Sequence, residues 1–426
     1  MRWTCPVSLL TSIAFLAPLG AEDLVQDAPA KTNEQDAQPV QVKDFYVKPM
    51  ANLNFRNGTI TLDPKVLVGI GYDSNIFSVP SGVSKNSDGF YVGMVGLTLR
   101  DRLNDHNRLV IDGEFETDRY FDSSKNNQGD LTGGHARADY YWTNKQADEI
   151  HAEGEYQKFR DPLVETGETI LRQTADASLY GTWNGPKSRV VVGGSFLRTD
   201  YLEDSAFFVA SARSNDYYEG DIRVGYVPAR ESFYYVMASV LATKYDHNTQ
   251  FNNSGGFIAA LGAQKLLATR TSLLIEAGVE HKTYTNDFNA SPQYNDKSVS
   301  APYGNLFLNW KYEEGSNVGI RGFSELNDSL TANSAWIYGG DIETRRRLTA
   351  RAALFGSATA YHSKDDGHAV GVAVEARTTE VGELGVEYVL RRGVVTRVKG
   401  DYTNSTSATE NTFSRFVGIW EIAVAF

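Results

Sequence analysis

Cysteine is nearly missing from this sequence: Cys5 is the only one in 426 residues, which excludes a disulfide framework and a cysteine-ligated zinc site. Basic charge is short as well, with 41 Lys and Arg against 53 Asp and Glu and a net charge of −12. No nucleic acid is expected as a partner, because phosphate binding needs clustered cations. There is also no apolar run of about 18 residues, so a transmembrane helix is excluded. A transmembrane barrel is not excluded, since its strands alternate lipid-facing and lumen-facing residues and look polar on average.

Catalytic signatures are absent too. The histidines His106, His135, His151, His247, His281, His362 and His368 stand singly, without a His-x-x-x-His metal pair. Neither a Gly-x-Ser-x-Gly elbow nor a phosphate-binding glycine loop occurs. His362, Ser363, Asp365 and Asp366 are the nearest approach to a catalytic cluster, and a polar outer loop explains them more simply. No catalytic, metal or cofactor-binding residue is assigned, and no enzyme is expected.

What is present begins with an address. Arg2 supplies a charge, residues 6–19 an apolar core, and Ala21 a small residue before Glu22 and Asp23. Residues 1–21 therefore read as a signal peptide, with a buried N-terminal helix as the alternative. Cys5 precedes the apolar core, which argues against a lipoprotein anchor, and cleavage leaves a chain without cysteine, suited to an oxidising periplasm. Residues 22–62 are rich in Gln, Asp, Ala, Lys and Asn and carry Pro29, Pro39 and Pro49. With so few large apolar groups, this part is expected to be a flexible periplasmic tail, either a spacer or a docking segment.

From residue 63 the pattern changes to period two. Leu109, Ile111, Phe115 and Thr117 share one face, and Arg108, Asp112, Glu114, Glu116 and Asp118 the other. The alternation recurs at 150–156 (His151, Glu153 and Glu155 opposite), at 273–279 (against Glu276 and Glu280) and at 384–390 (against Glu387 and Arg391). Segments of about 10–15 residues exceed the usual soluble strand and match a tilted bilayer-spanning one. Short turns near 144, 185, 228 and 315 alternate with longer polar loops at 122–131, 202–216 and 286–300, the asymmetry of an outer-membrane barrel. Trp142, Trp183 and Trp310 each precede a short turn, so they would form one interfacial belt, with Trp336 in the opposite one. At the end, Trp420, Ile422, Val424 and Phe426 alternate up to a terminal aromatic, the pattern of an assembly signal for the outer-membrane insertion machinery.

The expected fold is therefore all-β: a transmembrane antiparallel up-and-down β-barrel over residues 63–426. About 20 residues per strand and connection give about 18 strands, with 16 as the rival. Both ends of the barrel should face the periplasm, so the count must be even; residues 368–379 then belong to a loop or a strand extension.

Residues 68–77 read VGIGYDSNIF, with Tyr72, Asp73, Asn75, Ile76 and Phe77 in fixed spacing. This resembles the first strand of the putative β-barrel porin 2 group of outer-membrane proteins. The closing strands are similar as well, with Gly385, Tyr388 and Arg391, then Val398 to Tyr402, then the terminal Phe strand. The resemblance implies an outer-membrane barrel in a Gram-negative cell, in a family associated with exopolysaccharide or capsule export. It implies no catalytic residues, and a structural role for Asp73 and Asn75 in closing the first strand.

Alternation places Asp112, Glu114, Glu116, Asp139, Glu153, Glu155, Asp176, Glu219, Asp221, Glu276, Glu280, Asp341 and Glu343 inside the barrel. Arg108, Arg137, Arg172, Arg223, Lys282, Arg321, Arg345, Arg351, Arg397 and Lys399 face them. Such a wall is first of all solvated; functionally, its acidic excess predicts mild cation preference. The apolar stretch Ala206, Phe207, Phe208, Val209 and Ala210 is expected either to fold inward as a constriction or to pack on neighbouring loops. The expected function is a porin-like channel for small hydrophilic solutes or ions. The alternative is the barrel component of an exopolysaccharide or capsule secretion system. Outer-membrane lipid and the assembly machinery are partners in both, and polysaccharide-export proteins in the second.

Overall fold

The computed structural model of the protein describes residues 40–42, 45–47, 50, 53–55, 59–76, 86–122, 130–145, 147–162, 169–204, 210–229, 231–247, 252–285, 298–329, 333–365, 376–407 and 412–426. The leader expected over 1–21 and the tail over 22–39 lie outside them.

Three short strands come first: β1 (Val40–Val42), β2 (Phe45–Val47) and β3 (Leu53–Phe55). The barrel begins with β4 (Ile60–Asp73), β5 (Asp88–Arg102), β6 (Asn107–Tyr120), β7 (Leu131–Thr143), β8 (Glu149–Pro162) and β9 (Thr169–Asn184). It continues through β10 (Ser188–Tyr201), a single helical turn α1 (Ala210–Arg213), then β11 (Asn215–Ala229), β12 (Ser232–Tyr245), β13 (Ser254–Ala268) and β14 (Thr271–Tyr284). Completing the ring are β15 (Ser298–Glu313), β16 (Ser316–Asn327), β17 (Ala335–Arg347), β18 (Ala352–Asp365), β19 (Ala376–Arg391), β20 (Val394–Ser407) and β21 (Phe413–Ala425). Each strand from β4 on pairs antiparallel with the next, and β21 returns to β4 with Val417 opposite Asp73 and Ala425 opposite Lys65. The barrel thus has 18 strands, and the rival count of sixteen falls. Of the ambiguous stretch, residues 376–379 open β19; residues 368–375 lie outside the described residues.

Strands of 12 to 16 residues span about 30–40 Å along the barrel axis at the usual tilt, enough to cross the apolar band of a bilayer. Connections at one end are short (103–106, 185–187, 269–270, 314–315, 392–393); those at the other are longer (74–87, 202–214, 285–297, 366–375). Gly315 and Gly393 take φ of +72° and +78° in two of the short turns, each beside a bulge, where a side chain would be strained.

The outer face is apolar and open. Val68, Ile70, Val95, Phe115, Leu261 and Leu384 are about half exposed or more. Trp142, Trp183 and Trp310 stand on this face at the short-turn end, and Trp336 at the other, bonding Ser324 Oγ through its indole N–H. Trp420, Ile422 and Val424 also face outward on β21, and Phe426, just past its end, is exposed.

The inner face carries two apolar clusters that simple alternation did not anticipate. One spans the closure: Leu67, Phe90, Val92, Met94, Val395, Val417 and Ile419. The other lies across β12–β15, with Phe233, Tyr235, Met237, Ile258, Leu274 and Tyr303. In β5 and β12 both faces are apolar, so the period-two contrast is lost there.

Part of the segment read as a tail on composition joins the sheet. Leu53–Phe55 pairs with Ile60–Leu62, and the barrel starts at Ile60. The Met50 N–H donates to the Ala425 carbonyl at 3.1 Å. The β1–β2 hairpin runs beside β4 and β21. There the outward Val68 and Trp420 stay half exposed, while the inward Leu67, Val417 and Ala423 are fully covered, which puts the hairpin on the inner side. Alternating Leu53, Phe55, Ile60 and Leu62 is the local signal that average composition hid.

Candidate functional site: the inner wall

Three arrangements of charge line the inside. At the seam where β21 meets β4, Asp73 is fully buried and accepts both Arg415 Nε–H (3.0 Å) and the Tyr120 hydroxyl (3.0 Å). It also accepts the Asn75 backbone N–H at 2.9 Å, while Asn75 Nδ2 donates to the Ser414 carbonyl at 3.1 Å. The Asp-x-Asn signature thus ties the end of the first strand to the start of the last. Arg397 grips Glu421, two inward positions along β21 from the Val417 opposite Asp73, at 2.6 Å with both side chains buried. Such pairs resist separation because removing one partner strands a charge away from water.

Across β11–β16 a second network centres on Glu276. It accepts Tyr235 OH (2.6 Å), Tyr303 OH (3.2 Å) and Asn305 Nδ2 (3.2 Å), with Arg223 at 3.4 Å. Lys282 donates to the Leu326 carbonyl at 2.8 Å and lies 3.9 Å from Glu280.

The third arrangement is an acidic stripe over β6–β9. The register sets Asp112 opposite Arg137, Glu114 opposite His135, Asp139 opposite Glu153, and Glu155 opposite Asp176. Lys65, two strands away, bonds Asp112 and Glu114 at 2.7 Å each. It crosses β5 above Gly96, where an added Cβ would come within 2.8 Å of the lysine stem. His135 Nε2 lies 2.9 Å from Asp112, and His151 Nε2 3.2 Å from Asp139.

The eight charges singled out in sequence, Asp112, Glu114, Glu116, Glu153, Glu155, Arg137, Arg172 and Arg223, all occupy inward positions of the register. Arg172 lies over the Phe159 ring at 4.6 Å. Arg351 does not face inward: it is exposed in the turn before β18, because the strand starts one residue later. Of the apolar stretch, Ala206, Phe207, Phe208 and Val209 lie outside the described residues. Ala210 opens α1 and packs against Ile170, Tyr201 and Tyr245. His362 faces outward, 3.1 Å from Thr378 Oγ1, whereas Asp365 faces inward and accepts Ser329 Oγ–H at 2.7 Å. His362 thus lies on the opposite face of β18 from Ser363 and Asp365, and Asp366 lies outside the described residues. Missed in sequence were Lys65, Arg415 and Glu421, all nearly fully buried; their signal was an alternate position on a strand with one apolar face.

A family model described as "Putative beta-barrel porin 2" matches residues 48–424. No curated protein matches. Among solved structures, OpdO of Pseudomonas aeruginosa is 11% identical with a TM-score of 0.47, covering 86% of this chain and 97% of that one. OpdQ of the same organism is 9% identical with a TM-score of 0.46, over 86% and 98%. The copper transporter OprC is 10% identical with a TM-score of 0.43, over 86% and 80%.

Proposed function

The chain belongs to the putative beta-barrel porin 2 family, and from that premise we propose that it forms a channel in a Gram-negative outer membrane for small hydrophilic solutes or ions, mildly favouring cations. The observation that carries the cation preference is the acidic excess among buried ionisable side chains of the inner wall. Its concentrated form is the stripe on β6–β9, where Asp139 faces Glu153 and Glu155 faces Asp176. Fixed carboxylates lining a wet path raise the local concentration of cations. The seam and the Glu276 network are closed largely by their own partners. The short-turn end, where β4 begins and β21 ends, faces the periplasm in this reading.

Two measurements test it. In planar bilayers under a salt gradient, the reversal potential should have the cation-selective sign; an anion-selective sign refutes the preference. Proteoliposomes should swell in small sugars. Impermeability to them, with export proteins co-purifying, would overturn the channel reading in favour of a polysaccharide-secretion barrel.

A further inference from the structure

Spacing along the chain shows no metal pair, yet the register assembles one His and two carboxylates from neighbouring strands. His151 Nε2 lies 3.2 Å from Asp139 Oδ1 and 4.0 Å from Glu153 Oε2. One ligand atom from each of the three residues falls within 4.8 Å of the others. We propose that Asp139, His151 and Glu153 form a divalent-metal site on the inner wall, taking a borderline ion such as Zn²⁺.

Three observations support a cation there beyond proximity. First, the register is electrostatically unfavourable as it stands: Asp139 lies directly opposite Glu153, and Glu155 directly opposite Asp176. Like charges opposed across strands destabilise a sheet unless something neutralises them. Arg137 faces Asp139, Glu153 and Glu155, one positive charge against several negative ones. Second, Glu153 is 5% exposed, and its Oε1 accepts no hydrogen bond from the described residues; Arg137 Nε is 3.0 Å away, at ion-pair distance only. That guanidinium is shared with Asp139, 2.8 Å away, so two buried carboxylates have one cation between them. Third, the ligands are held. His151 stacks on Tyr141 at 4.2 Å with the rings 8° apart, and Arg137 fixes Asp139 through Nε (2.8 Å) and Nη2 (3.0 Å). Outer partners of this kind set ligand orientation in metal sites.

Imidazole with two carboxylates suits Zn²⁺ and its neighbours better than Mg²⁺, which prefers oxygen and keeps its waters. The similar group Asp112, Glu114 and His135 is a poorer candidate: the Lys65 ammonium lies 2.7 Å from both carboxylates and both His135 ring nitrogens are spent on them, at 2.9 and 3.2 Å, whereas Arg137 sits at Glu153 Oε1 and leaves Oε2 toward His151.

The test is equilibrium binding of Zn²⁺ to the detergent-solubilised protein, with Mg²⁺ as the comparison ion. It needs no open pore, so it stands or falls apart from the channel reading. Saturable Zn²⁺ binding is expected, weakened at least about tenfold in His151→Gln and in Glu153→Gln and unchanged in His135→Gln. The two ligand variants guard against one failing to fold. No saturable binding, undiminished binding in both variants, or loss only in His135→Gln overturns the proposal.

Discussion

The seam and the acidic stripe are both charged surfaces of the same inner wall, built on opposite rules. At the seam unlike charges meet and are sealed: Asp73 with Arg415, Arg397 with Glu421. Along β6–β9 like charges are set opposite one another, Asp139 to Glu153 and Glu155 to Asp176. The chain has reason for both. Strands β4 and β21 are far apart in sequence and have no turn to fix their register, so specific pairs must do it. Strands β6–β9 are successive neighbours, β6 to β7 and β8 to β9 joined by longer loops and β7 to β8 by a short turn, and their apolar outer faces fix the register. Their inner faces are free to carry charge that costs stability. Closure is held by attraction, and the stripe tolerates repulsion.

Substitutions should expose this contrast. The largest effect is expected from Arg415→Met, which leaves Asp73 buried without its cation and should cost about 4 kcal/mol in urea unfolding from detergent. Adding Asp73→Asn should recover much of that loss; no recovery would mean the pair does not act as a unit. Leu67→Ala, which empties part of the apolar floor under the seam, should cost about 3 kcal/mol by the same measurement. On the stripe the sign reverses: Asp176→Asn relieves a like-charge pair and should leave stability unchanged or raise it by up to about 1 kcal/mol, while lowering cation selectivity. A loss like that at Leu67 would erase the distinction between the two regions.

The smallest effect lies outside the membrane, in the turn between β7 and β8. Asp148 accepts the Asn184 N–H at 2.7 Å and Asn144 Nδ2 at 2.9 Å, and these bonds hold its carboxyl below the ordinary 3.8. Because the folded value is lowered, its stabilising contribution is present above that ordinary value and is lost as pH falls through the lowered one. In Asp148→Asn, the drop in urea midpoint between neutral and acid pH should shrink slightly.

Much of this was legible in sequence because a barrel strand writes its two environments into alternate residues. β6 is the clearest case: Leu109, Ile111 and Phe115 point to lipid, Asp112, Glu114 and Glu116 inward. The even strand number came instead from requiring both ends of the barrel to lie on one side of the membrane. Legibility failed where the inner face is itself apolar, as with Phe90, Val92 and Met94 of β5, whose outward neighbours are apolar too. It failed again for contacts set by register. Nothing in the spacing of Asp139, His151 and Glu153 announces that they meet, because a strand pairing brings them together. The Asp73–Arg415 pair is separated by 342 positions in the chain, and only the opening motif hinted at one half of it.

Gly96 carries no charge of its own, yet the reach of Lys65 to Glu114 passes over the gap it leaves. The electrostatics of the strands on either side are therefore governed from a position without a side chain. Filling that gap would evict the ammonium and release two carboxylates at once, so a neutral change on β5 would redraw the field of its neighbours.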